Sequence, residues 1–139
     1  MSRITSKKYH ILVVEDESSM MTLIKYNLET AGYIFHSARN GREAISFCQQ
    51  TIPDLIISDI GMPEIDGFEL RQFLLNDEKF RKIPFIFLTA KTRGEDQFRS
   101  MRLGVSHFLT KPFEPELLLL TVKNILSQKE DFESSNSRR

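Results

Sequence analysis

Cysteine is nearly absent from this chain: Cys48 is the only one in 139 residues. That excludes an intrachain disulfide and a Cys-rich zinc site, and it points to an intracellular protein. Long apolar runs are missing too. None approaches the roughly 20 residues of a membrane span, and the first eight residues carry charges with no apolar signal core behind them. The expected setting is soluble and cytoplasmic, with no membrane partner. Net charge is also absent. Nineteen Lys plus Arg balance nineteen Asp plus Glu, so no global field favours nucleic acid. Glycine-rich phosphate loops do not occur: no Gly-x-Gly-x-x-Gly follows the first strand, and no Gly-x-x-x-x-Gly-Lys-Ser/Thr exists anywhere. Any phosphate chemistry must therefore come from side chains.

What is present is an alternation of short apolar runs with helical patterns. Strands are predicted at residues 10–14, 33–38, 54–58, 84–88 and 106–109. Continuous runs such as Ile-Leu-Val-Val14 suit strands buried on both faces of a parallel sheet. Between them, Met20, Leu23, Ile24 and Leu28 recur at helical spacing, Glu17 or Ser18 can open that helix, and Gly32 can close it. A polar helix over about 94–103, with Phe98, Met101 and Leu103 as its large apolar residues, should be the most loosely held. Pro115 opens a last helix whose apolar pattern ends at Gln128. The expected organisation is an arm at 1–8, one folded domain at 9–128 and a polar tail or linker at 129–139. Five strands alternating with five helices give an α/β sandwich with helices on both faces.

Four polar signals fall at the ends of these strands: Glu15-Asp16, Asp59, Thr89 and Lys111. The carboxyl ends of parallel strands share one edge, where ligands bind. Three acids meeting there raise one another's pKa unless a cation intervenes, and an all-oxygen set suits Mg²⁺. Asp16 and Asp59 would bind it directly, and Glu15 directly or through water. Lys111 can neutralise a phosphoryl oxygen, and Thr89 can donate to it. Blander readings stand beside these: Glu15-Asp16 as a helix cap, Lys111 as a surface lysine and Thr89 as a strand-end hydroxyl.

At these residues the chain resembles the response-regulator receiver family, the CheY-like phosphoacceptor domains of two-component signalling. The matching pieces are Ile-Leu-Val-Val-Glu15-Asp16-Glu, Ser-Asp59-Ile-Gly61-Met-Pro-Glu-Ile-Asp66-Gly67, Leu-Thr89-Ala-Lys and Phe108-Leu-Thr-Lys111-Pro112-Phe. The likeness covers about residues 9–128. It implies a doubly wound, flavodoxin-like three-layer sandwich whose five parallel strands run in the order 2-1-3-4-5. It also implies that Asp59 takes a phosphoryl group from a sensor histidine kinase or phosphotransfer protein. The resemblance makes the domain a signalling module and not an enzyme in the ordinary sense, and assigns catalysis of its own phosphorylation to Asp59, Lys111 and Thr89. The metal set it implies is Glu15, Asp16, Asp59 and the Gly61 carbonyl, holding Mg²⁺ with Mn²⁺ as a substitute. A cis peptide at Lys111-Pro112 and a switch through Thr89 and Phe108 complete the pattern, although Phe108 also reads as core packing. Phenylalanine there, where many relatives carry tyrosine, leaves output to shape and burial. Gly61 and Lys91 occupy the positions tied to phosphoryl lifetime.

Leu117 and Leu120 fall off the core stripe of the last helix. They mark a candidate interface for a downstream protein or a homodimer, on the face shared by the fourth helix, fifth strand and fifth helix, unless Leu117 packs at the helix entrance. His107 reads as a strand-edge residue, and Met20 and Met21 as helix core. Two other functions compete. A phosphohydrolase of the haloacid-dehalogenase type would need an acid two residues after Asp59, where Gly61 stands. A receiver that binds partners without phosphorylation would leave Asp59 unlabelled.

Overall fold

The computed structural model describes residues 7–90, 94–105 and 107–137. Ten elements alternate along the chain: β1 (His10–Val14), α1 (Ser18–Thr30), β2 (Ile34–Ala38), α2 (Gly41–Gln50), β3 (Leu55–Asp59), α3 (Gly67–Leu75), β4 (Phe85–Thr89), α4 (Gly94–Arg102), β5 (Phe108–Thr110) and α5 (Pro115–Ser137). All strand pairs are parallel and the order is β2-β1-β3-β4-β5. The expected doubly wound sheet is what forms. Because successive side chains on a strand point to opposite faces, each central strand feeds two cores. Leu12, Val14, Ile56 and Phe87 pack with Ala44, Cys48, Phe68, Leu70 and Leu74 on one face. Ile11, Val13, Ile57 and Leu88 pack with Ile24, Leu28, Leu118 and Val122 on the other. The chain leaves β1 in one direction for β2 and then crosses to β3, so a crevice opens at the carboxyl ends of β1 and β3.

Local chemistry sets the helix starts that border this crevice. Asp66 and Glu69 form a reciprocal capping box, with the Glu69 N–H donating to Asp66 Oδ1 at 2.8 Å and the Asp66 N–H to Glu69 Oε1 at 3.0 Å. Asn40 caps α2 by accepting from the Glu43 N–H. Glu17 is the N-cap of α1 but makes no side-chain cap bond. Glu15 Oε2 instead accepts the Glu17 N–H at 3.1 Å.

β2, β3 and β4 each start one residue later than predicted, and two boundaries differ by more. β5 spans three residues in register with Phe87–Thr89 and begins later than predicted, because the approach to it is a loop whose His107 carbonyl accepts the Phe87 N–H at 3.0 Å. Ser106, the predicted start, and Lys91 both lie outside the described residues. The last helix does not stop near Gln128 but runs to Ser137. Its next turn is anchored: Lys129 Nζ sits 3.2 Å from Asp54 Oδ1, and the Tyr9 hydroxyl donates to Glu130. No proline or glycine follows to break it. Among the described residues no helix is long and apolar enough to cross a membrane.

Cys48 is buried, and burial pushes its thiol up to about 11. The thiolate is the reactive form. In native buffer near pH 7.5, a thiol reagent such as DTNB is expected to react with Cys48 at least roughly a hundredfold more slowly than after denaturation. Equal rates would mean that α2 opens freely.

Candidate functional site

Backbone hydrogen bonds fix each functional side chain at the sheet edge. The Glu15 N–H donates to Ala38 O (3.0 Å), Ile60 N–H to Leu88 O (3.0 Å) and Lys111 N–H to Thr89 O (2.7 Å). The strand-end pattern therefore continues one residue past β1, β3 and β5. The loop after Asp59 turns back tightly, with the Gly67 N–H donating to Ile60 O at 2.8 Å. A side chain at Gly67 would collide with its own site: an added Cβ lies 2.5 Å from Asp59 O and 2.9 Å from Ile60 Cα. Both are backbone atoms and cannot swing aside. Gly67→Ala is therefore expected to lower the unfolding free energy by roughly 2–3 kcal/mol in a urea titration, the range for overpacking a tight contact. A neutral result would show that the loop yields.

The acids meet as the sequence reading expected. One carboxylate oxygen each from Glu15, Asp16 and Asp59 lies within 4.8 Å of the others. Glu15 is buried, Asp59 is 9 % exposed and Asp16 is open to solvent. Lys111 Nζ reaches both buried acids, donating to Glu15 Oε1 at 2.7 Å and lying 3.3 Å from Asp59 Oδ2. Among the described residues, three clustered carboxylates against one ammonium leave a formal local charge of −2. At an effective dielectric constant near 20, two such charges about 5 Å apart repel by roughly 3 kcal/mol. One divalent cation would cancel the excess.

The titration behaviour follows from that imbalance. Burial raises the Glu15 carboxyl above its usual value; the Lys111 hydrogen bond and the Glu17 N–H oppose the rise, and the Asp59 charge adds to it. Burial likewise raises Asp59, against the pull of Lys111 and a hydrogen bond from the Gly61 N–H, with Asp16 pushing it higher. For Lys111, burial alone would lower the ammonium, but the bond to Glu15 and the charges of Asp59 and Glu15 outweigh it and the net shift is upward. An ion pair ordinarily lowers its acid. Here Glu15 and Asp59 rise chiefly because they are buried, and among the described residues they share one cation.

A cleft opens over Asp59, lined also by Ile60, Gly61, Thr89, Ala90, Asp96 and Lys111. Glu15, Asp16, Asp59, Gly61, Thr89 and Lys111 are thus brought together. Thr89 is 6 % exposed at the end of β4, and the Lys111-Pro112 peptide is cis. Phe108 is half-buried on β5 with its ring 6.5 Å from that of Phe87. Leu117 and Leu120 lie on α5 at 49 % and 55 % exposure. Sequence reasoning missed two residues. Asp96 carried no signal beyond being an acid on a polar helix, and Arg71, not singled out in the sequence, is 7 % exposed on α3.

Comparison with known proteins gives the same assignment. The family profile described as a response regulator receiver domain matches residues 11–123. The chain is 39 % identical over 120 residues to the alkaline phosphatase synthesis transcriptional regulatory protein PhoP of Bacillus subtilis, covering 86 % of this chain and 49 % of that protein. It is 36 % identical over 121 residues to the response regulator Rre1 of Synechocystis, covering 86 % of this chain and 52 % of that one. The chain thus spans about half the length of these curated relatives. Among solved structures, the chemotaxis response regulator CheY4 of Vibrio cholerae superposes with a TM-score of 0.81 at 33 % identity, over 86 % of this chain and 99 % of that one. The signal receiver domain of a signal transduction histidine kinase from Syntrophus aciditrophicus gives 0.80 at 42 % identity, over 86 % and 91 %. With an acid triad, a hydroxyl and a lysine at the carboxyl edge of a 2-1-3-4-5 sheet, the chain belongs to the response regulator receiver family of two-component systems.

Proposed function

We propose that Asp59 is the phosphoacceptor. The observation that carries this reading is the Asp59 carboxylate beneath an open cleft, 3.3 Å from the Lys111 ammonium and beside two further acids. An Asp59 oxygen attacks the phosphorus of a phosphohistidine on a sensor histidine kinase or phosphotransfer protein. The P–N bond breaks, and the donor imidazole leaves with its electron pair and takes up a proton. Lys111 turns from the acids toward a phosphoryl oxygen, and the Thr89 hydroxyl donates to another. Asp16, Asp59, the Gly61 carbonyl and, through water, Glu15 would hold Mg²⁺, which supplies neutralisation of the charge on the transferring group. The local excess of two negative charges suits a divalent ion of this kind, with Mn²⁺ as a substitute.

The domain acts on itself and not on a turned-over substrate. Output passes through Thr89 and Phe108 to the exposed Leu117 and Leu120, which contact a downstream protein or a second copy in the cytoplasm. A dehalogenase-type hydrolase is disfavoured, because Gly61 offers no acid two residues beyond Asp59.

The test is intact mass after incubation with acetyl phosphate, with Mg²⁺ or with EDTA. A phosphate-sized gain only with Mg²⁺, mapped to the peptide containing Asp59, is expected. Silence with acetyl phosphate and with a competent phosphohistidine donor would overturn the reading in favour of an unphosphorylated scaffold.

A further inference from the structure

Two of the chain's three histidines meet on the sheet away from the acids. His10 opens β1, and His36 lies in β2 in register with Leu12. Residues two apart on a strand share a face, so both imidazoles stand on the side where Leu12 packs with Ala44 and Cys48 of α2. Both are half-buried. His10 Nδ1 lies 2.9 Å from His36 Nε2. The ring planes are within 12° of each other and the centroids are 5.1 Å apart, which is the nitrogen separation plus about two ring radii. Both nitrogens therefore sit on the line between the ring centres, and each in-plane lone-pair direction points at the other ring. A zinc ion between opposed nitrogens would need about 2.0–2.1 Å to each, so the gap is too short for a metal. It fits one proton.

One of the facing nitrogens must then carry the proton while the other accepts. A second proton between them would set two N–H groups against each other. Burial first, and then the charge of His10, hold the His36 imidazole below its usual value. The groups around the pair offer a second proton no counter-charge. At the start of β3, Asp54 Oδ2 accepts the His10 backbone N–H at 2.8 Å, and Asp54 Oδ1 is matched by Lys129 Nζ of α5 at 3.2 Å. From α2, the Phe47 ring lies 4.8 Å from that of His36. Cys48, which α2 buries on this face, is neutral near pH 7, because burial pushes its thiol up to about 11. Among the described residues no carboxylate bonds to either imidazole.

The strand that carries His36 is the one most easily loosened. β2 lies at the edge of the sheet, paired with β1 alone, and only Ala38 of its five residues is buried. Its last residue reaches the acidic site, where Ala38 O accepts the Glu15 N–H at 3.0 Å. We infer that His10 and His36 form a one-proton latch that holds β2 against β1 near neutral pH and lets go when a second proton binds, loosening the backbone seat of Glu15. The latch does not depend on the phosphoacceptor reading. Its sign follows from linkage. A free imidazole takes its proton near about 6.5, and the closed pair takes a second one only at lower pH. The open strand therefore binds more protons as pH falls below about 6.5, and the closed strand loses stability in that direction.

Amide hydrogen exchange on the full chain tests this, with protection at residues 85–88 of β4 as the reference within each sample. That ratio removes pH effects common to the whole domain. At pH 7.5, His36→Ala should lower the relative protection of residues 34–38 and of the Glu15 amide roughly fivefold, the loss of one hydrogen bond. His10→Ala should do the same, and the double variant should lose no more than either. At pH 5 the wild type should have lost its advantage and match the variants or fall below them. Should a variant fail to fold, nitrogen-15 NMR of the wild-type imidazoles decides: the pair should titrate in two steps at least about one pH unit apart. No loss at pH 7.5, additive losses, an advantage that persists at pH 5, or two rings that titrate independently would each overturn the latch. Loss at residues 34–36 with the Glu15 amide unmoved would overturn its reach to the acidic site.

Discussion

Asp59→Asn is expected to reduce phosphate uptake from acetyl phosphate to below roughly a hundredth of the wild-type level, because an amide cannot serve as the attacking carboxylate. Stability should move the other way. The Asp59 carboxyl is raised by burial, with Asp16 adding to the rise against Lys111 and Gly61. An acid raised in the folded state contributes stability that is present below its unfolded pKa and lost as pH rises through the folded one. At pH 8 the wild type therefore carries a burden of buried negative charge, and the asparagine variant, nearly the same shape, does not. Its urea midpoint in the absence of Mg²⁺ should exceed that of wild type at pH 8, with the difference shrinking as pH falls toward 4. Loss of uptake with a lower midpoint at every pH would mean that the Lys111 contact outweighs the repulsion among the acids. Retained uptake would move the acceptor to another residue.

The fold was legible because its central strands advertise themselves. Residues 11–14, 55–57 and 85–88 are continuous apolar runs, the pattern of strands covered on both faces. The acids of the site were legible for the same reason, since each follows such a run. What escaped prediction depends on partners far away in sequence. The bounds of β5 come from pairing with Phe87–Thr89, not from the composition of three residues. The continuation of α5 past Gln128 is anchored by Asp54, 75 positions before Lys129, and by Tyr9, 121 positions before Glu130. Arg71 lies on the buried stripe of α3 with Gly67, Leu70 and Leu74, so periodicity places the position inward without saying what could satisfy a guanidinium there. It is accommodated because the carbonyls of Leu103 and Ile83 converge on it from two loops. Local pattern reports periodicity, and it carries no information about which remote carbonyl lacks a donor.

Lys111→Met separates the lysine's ion pairing from the role proposed for it on the phosphoryl group. It removes the one cation that contacts Glu15 and Asp59 among the described residues, their side chains being 1 % and 12 % exposed. Removing one partner of a buried pair typically costs about 3–5 kcal/mol. The cost here should fall at or below about 3 kcal/mol, because carboxyls already raised by burial can take up a proton in place of the ammonium. That route fixes the sign of the pH dependence. Both carboxyls rise further, so the stability of the variant should increase as pH is lowered from 8 to 5, more steeply than that of wild type. A flat profile would contradict the charge assignment. Mg²⁺ should restore much of the lost stability, since an ion that binds the folded state alone stabilises it by mass action. It should not restore phosphate uptake, which is expected to stay roughly a hundredfold below wild type because the proposed donor to the phosphoryl oxygen is gone. Rescue of the urea midpoint without rescue of the rate would place Lys111 on the transferring group itself. Rescue of both would reduce it to a counter-ion that any cation can replace.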